Sequence, residues 1–156
     1  MPSNSFAGCM PFMLPTYGGP ESPSQGKSLP KPSAMRRSEA VLAGRLRPEE
    51  KFRRLVRSHL GTILEDGNDF IPVLLYDWRS LTPGNRRRVI ALRDRYDALW
   101  QKMLDELARE MLIAGDPRLA RLFVLGAINW AAKWYRPGGC LSLDDIAAQA
   151  ARLLLK

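Results

Sequence analysis

Any chemistry in this chain has to start from its single histidine. His59 is the only imidazole in 156 residues, and a histidine that works as a base needs a hydrogen-bonded partner to orient it. It falls instead in the series Phe52, Leu55, Val56, His59, Leu60, Ile63, Leu64, the apolar stripe of an amphipathic segment, and so reads as a packed or boundary histidine. Cys9 and Cys140 have no CxxC spacing, and with His59 alone to join them they make no zinc set. Cys140 lies in a glycine-rich turn without an activating motif. Asp144 and Asp145 stand two and three residues after Ser142 and are explained as negative charge at a helix N-terminus. ExxH, HExxH, GxSxG, GxGxxG and Walker patterns are missing from the sequence. The reading is of a protein that is not an enzyme and has no cofactor or metal.

Two further features point to binding. Arg86, Arg87 and Arg88, with Arg93 and Arg95 after them, can grip an anion. Successive helical residues point in different directions, however, and Asp94 and Asp97 dilute the field, so a solvated face stays open as the alternative. Lys133 and Arg136 are of the same kind. Asn129 stands in an otherwise apolar run and needs a hydrogen-bond partner if buried, since an unsatisfied amide costs roughly 1 to 3 kcal/mol. It either fixes helix register or contacts a ligand.

The elements that must position these residues differ along the chain. Eight of the twelve prolines fall in residues 1 to 48, a density that breaks helical hydrogen bonding and buries little apolar surface. Residues 1–47 are therefore expected to be disordered or irregular, with at most a frayed helix from Met35 to Leu46. From Pro48 the punctuation is that of helices: proline at the first helical position and Glu49 and Glu50 in the first turn. The first helix runs to about Glu65, with Gly67 as its C-terminal cap. A shorter one follows, capped by Asn68 or Asp69 and passing through Trp78. Thr82-Pro83 opens a long helix that meets no Gly or Pro between Asn85 and Ala114, about 30 residues or roughly 45 Å, and Gly115 is expected to end it. Asp116-Pro117 starts a helix to about Tyr135 that is apolar nearly all round and must be covered on most sides. Ser142 starts the last. The fold class is all-α, a bundle of about five helices spanning 48–156.

Lys plus Arg outnumber Asp plus Glu by 24 to 16, a formal charge of +8, so an anionic partner fits. The surplus is spread over the helical part and does not form a basic arm, which weakens a nucleic-acid-binding reading without removing it; a stand-alone helical interaction module is the other alternative. The longest nearly uncharged apolar run, Leu122 to Ala132, has eleven residues against the roughly 20 needed to span a bilayer. No membrane partner is expected, and with no signal-peptide pattern the chain is read as cytoplasmic.

The segments Arg93-Asp94-Arg95-Tyr96, Asp116-Pro117-Arg118-Leu119-Ala120, Leu125-Gly126-Ala127-Ile128-Asn129-Trp130 and Trp134-Tyr135-Arg136-Pro137-Gly138-Gly139 resemble the C-terminal domain of TetR-type transcriptional regulators. The likeness is strongest to the branch of steroid- and fatty-acid-catabolism repressors that respond to acyl-CoA thioesters. It implies an effector-binding domain over 48–156 that forms a homodimer through its last two helices, with Leu122, Leu125, Ala127, Ala131, Ile146, Ala150 and Leu153 as interface candidates. It also implies a hydrophobic anionic effector of acyl-CoA type. Phe70, Leu74 and Tyr76 before Thr82, Tyr96, Trp100 and Met103 on the long helix, and Phe123, Asn129 and Trp130 on the apolar helix are candidates to line its pocket; a plain core role is equally open for each. Arg87, Arg88, Arg93, Lys133 and Arg136 would meet its anionic part. DNA is the family's other partner, yet residues 1–47 show none of the helix-turn-helix pattern expected there, so the expectation is a sensor without its reader.

Overall fold

The computed structural model of the chain describes residues 32–65 and 82–156. Among the described residues there are five helices and no strand: α1 (Pro32–Ala43), α2 (Pro48–Leu64), α3 (Pro83–Arg109), α4 (Pro117–Trp134) and α5 (Leu143–Leu154). The all-α bundle is as expected. The short helix through Phe70 and Trp78, its Gly67 cap, and the candidates Phe70, Leu74 and Tyr76 lie outside the described residues.

Local chemistry accounts for the helix starts. Pro48, Pro83 and Pro117 each stand in the first turn, where a missing N–H is harmless. Thr82 accepts from the Asn85 N–H, Asp116 accepts from the Arg118 N–H, and Ser142 and Asp145 form a reciprocal capping box. The frayed helix expected from Met35 to Leu46 has its counterpart in a helix at 32–43, where Ser38 and Leu42 lie four apart on the buried side. One expectation is corrected: the long helix stops at Arg109, well before Gly115. There the Met111 N–H reaches the Ala108 carbonyl and the Leu112 N–H reaches the Leu107 carbonyl, the two bonds of a Schellman cap, with Met111 at φ 57 in the left-handed position usually given to glycine.

α2 touches every other described helix, which follows from its wide apolar face. Phe52, Leu55, Val56 and Leu60 are fully buried against Trp100, Met103, Leu104 and Leu107 of α3, and Phe52 meets Trp100 edge to face at 6.3 Å between ring centres. Val124, Ile128 and Ala131 of α4 and Leu143 and Ala147 of α5 close the core. Ion pairs trim its rim: Lys51 with Glu106 at 2.8 Å, Arg121 with Asp97 at 3.1 Å, Arg57 with Asp144 at 3.2 Å. Each adds at most a modest increment at such exposure; the burial holds the bundle together.

Among the described residues, α4 is covered on one side only. Leu119, Leu122, Phe123, Gly126, Ala127 and Trp130, at helical spacing, form an apolar stripe facing outward. No helix among the described residues is long and apolar enough to cross a membrane.

Candidate functional site

Among the described residues, the bundle interior holds a polar cluster around His59. α2 carries His59 on its buried face, and α3 and α4 bring a partner to each ring nitrogen: the Tyr96 hydroxyl lies 2.8 Å from Nδ1 and Asn129 Oδ1 lies 2.9 Å from Nε2. An amide oxygen only accepts, so Nε2 carries the proton and donates to Asn129. Burial pushes the imidazole pKa down, which keeps the ring neutral and leaves Nδ1 as an acceptor for the Tyr96 O–H. Tyr96 is in turn held protonated, its pKa raised by desolvation. The relay therefore runs in one direction, Tyr96 to His59 to Asn129, through three helices.

Aromatic packing fixes the ring between those partners. Tyr96 lies nearly parallel to it at 5.6 Å between centres, and Trp100 meets it edge-on at 5.7 Å. Ser38 of α1 completes the cluster. Ser38 Oγ and Trp100 Nε1 are buried beside the Tyr96 oxygen, whose lone pairs are free to take both donors, at a geometry looser than that of a well-formed hydrogen bond. Five neutral polar groups on four helices, the Tyr96 hydroxyl among them, thus form one connected cluster.

Asn129 has the hydrogen-bond partner its apolar surroundings demanded, and His59 is packed, as its place on the stripe indicated. Tyr96, Trp100 and Met103 do face the interior. Phe123 and Trp130 do not: they are 77% and 60% exposed on the outer stripe of α4, because an 18-residue helix turns its faces in sequence and Val124, Ile128 and Ala131 have taken the inner one. Of the interface candidates, Leu122, Ala127 and Leu153 are exposed. Leu125, Ile146 and Ala150 pack partly on the core, and Ala131, 1% exposed, is inside it and is no part of an outer surface. Arg87 and Arg88 are exposed at the start of α3, Arg93 is held by Asp94 at 2.9 Å, and Lys133 and Arg136 are exposed at the end of α4. Ser38 was not singled out from the sequence. Its place in register with Leu42, with Met35 three residues before it, is the signal that marks it. Among the described residues, no group of His, Cys, Asp or Glu is arranged to hold a metal ion. A neutral, buried cluster of this kind can seat hydrogen-bonding atoms of a ligand.

The family described as "Tetracyclin repressor-like, C-terminal domain" matches residues 45–156. No curated protein matches the sequence. Solved structures do. The superantigen PfiT is 32% identical with a TM-score of 0.71, covering 80% of this chain and 66% of its own. The TetR family transcriptional regulator PfmR from Thermus thermophilus is 29% identical with a TM-score of 0.67, covering 78% and 66%. AibR, solved in complex with isovaleryl coenzyme A and operator DNA, is 22% identical with a TM-score of 0.62, covering 74% and 63%, a likeness of fold. The chain spans no more than 66% of the length of these three structures.

Proposed function

Because the chain belongs to the Tetracyclin repressor-like, C-terminal domain family, we propose that it is the effector-binding and dimerisation part of a transcriptional regulator and that its effector is an acyl-CoA-type thioester. The observation that carries the effector reading is the buried cluster on α1 to α4, a few converging polar groups in an apolar interior, which is how sites for small apolar ligands are built. Two facts support a thioester in particular. AibR, of the same fold, binds isovaleryl coenzyme A in its solved structure. Exposed cations at the start of α3 and the end of α4, Arg87, Arg88, Lys133 and Arg136, suit the phosphates of coenzyme A. Arg93 is shared with Asp94 and contributes less.

The partner in this reading is a second copy of the chain. The outward stripe of α4, with Leu122, Phe123 and Trp130 exposed, supports it, since apolar surface of that continuity is usually covered. Ligand binding would then bias one of two subunit arrangements. Thermal unfolding of the full chain with isovaleryl coenzyme A, longer acyl-CoAs and free coenzyme A tests the effector. A ligand at a hundred times its Kd stabilises the folded state by about 2.7 kcal/mol, so the thioesters are expected to raise the midpoint by several degrees and free coenzyme A by much less. A thioester panel that leaves the midpoint unmoved removes the acyl-CoA reading.

A further inference from the structure

The direction of the relay decides which way the Asn129 amide points. Trp100 Nε1 can only donate, and with the Ser38 hydroxyl it bears on the Tyr96 oxygen, so the Tyr96 proton goes to His59 Nδ1, 2.8 Å away. The one proton of the neutral imidazole is then on Nε2, which lies 2.9 Å from Asn129 and needs the amide oxygen there. The amine end of Asn129 is thereby turned away from the ring. Nδ2 has no hydrogen-bond partner among the described residues and is not sealed in the core, Asn129 being only partly buried. Its two N–H donors therefore open at the flank of α4, where an acceptor reaches them without entering the packed interior. Leu125, one turn before Asn129, is apolar and also only partly buried. Accepting the His59 proton takes only an oxygen, so the amine is the part of this side chain that the core does not use.

We propose that the Asn129 amine, held outward by the relay, donates to the carbonyl oxygen of the effector's acyl group. The proposal rests on the effector-binding reading and adds the residue and the atom that meet. An amine offers donors alone, so it selects an acceptor. The His59 and Tyr96 side chains behind it are neutral, which suits the uncharged oxygen of a thioester, and Leu125 offers apolar cover to the first carbons of the chain. Tyr96 and His59 do not touch the effector in this arrangement. They are positioning residues, which keep the amide oxygen turned in and the donors turned out. An amide without the relay presents either end, and fixing one end in advance removes that cost from binding.

Two measurements test it. With one histidine in the chain, nitrogen-15 NMR of the imidazole reads its tautomer directly, and no variant has to fold. At pH 8 without ligand the proton is expected on Nε2; a proton on Nδ1 instead would draw the Asn129 amine to the ring, and overturns the proposal. The second is isothermal titration of the full chain with isovaleryl coenzyme A and with its thioether counterpart, S-(3-methylbutyl) coenzyme A, which has the same chain and phosphates and lacks the carbonyl. The thioester is expected to bind about fivefold more tightly, the difference one ordinary hydrogen bond makes. Asn129→Asp keeps an oxygen for His59 and puts a second oxygen in place of the amine. Its charge repels the phosphates of both ligands alike, so the ratio of the two affinities is the readout. That ratio should fall to one or below, with the His59 tautomer and helical circular dichroism unchanged. A fivefold preference that survives the substitution overturns the proposal. Equal binding of thioester and thioether by the unaltered chain removes the carbonyl contact and leaves the effector reading standing. Binding of neither removes both.

Discussion

His59 shows how burial turns one side chain into a pH-dependent term in stability. Its pKa is lowered from 6.5 by desolvation, and the bond to Asn129 offsets that only in part. The unfolded chain therefore takes up this proton first as pH falls. The contribution of the neutral, buried ring is fully present above the unfolded pKa of 6.5 and is lost as pH drops below it toward the folded value. With a single histidine in the sequence, no other side chain has an ordinary pKa in this window. Urea unfolding followed from pH 7.5 to 5.5 should show stability falling with a limiting slope of about 1.4 kcal/mol per pH unit, and His59→Gln should flatten that slope. A curve as steep in the variant as in the parent would assign the effect elsewhere. Asn129 is the complementary case. Asn129→Ala leaves the Nε2–H without an acceptor in the core and should cost about 1 to 3 kcal/mol at neutral pH, read from the same unfolding curves. Both residues were visible in the sequence as polar misfits in apolar stripes. Their pairing was not, because it joins positions 70 apart and depends on how α2 crosses α4. The Tyr96 contact was hidden for the same reason.

At the scale of the element, helix starts were legible and one helix end was not. Thr82, Asp116 and Ser142 cap through residues two or three positions on, so sequence spacing alone specifies them. The end of α3 turns on tertiary packing: Leu112 and Ile113 fold back to the core, and the chain must reverse at Met111 to let them. Glycine, the usual marker of such a reversal, comes later, at Gly115, which is also left-handed at φ 79. Met111 bears the strain of a side chain in that region while its own side chain is 73% exposed and adds little packing. Met111→Gly should therefore stabilise the protein by roughly 1 kcal/mol, the steric relief outweighing the added freedom of the unfolded chain. Thermal unfolding checks it, and a lowered midpoint would show that the methionine packs where it stands or that the reversal is unstrained. α1 is the intermediate case: a frayed helix from Met35 to Leu46 was expected beside the prolines, and the helix found at Pro32–Ala43 buries Ser38 and Leu42.

For the whole molecule, the question is what covers α4. Composition alone marked this helix as needing cover on most sides, and the bundle supplies it on one, through Val124, Ile128 and Ala131. Which apolar residues turn inward depends on the rotation of the helix against α2 and α3, and periodicity cannot fix that for a helix apolar all round. This is why Phe123 and Trp130 were expected inside and Ala131 outside. The observed partition makes the dimer testable without touching the core. Phe123 and Trp130 lie seven positions apart on the outer stripe, and neither belongs to the buried cluster of the chain. Glutamate at both positions costs the single chain almost no packing, whereas in a dimer paired through α4 it places four carboxylates in an apolar seam, each facing a desolvation cost of several kcal/mol. Sedimentation velocity at micromolar concentration should give a species of twice the chain mass for the parent and a single chain for the Phe123→Glu, Trp130→Glu variant, with helical circular dichroism unchanged in both. A variant that stays dimeric would place the interface on another face. A parent that runs as a single chain would leave the α4 stripe without a second copy to cover it and remove dimerisation from the proposed function.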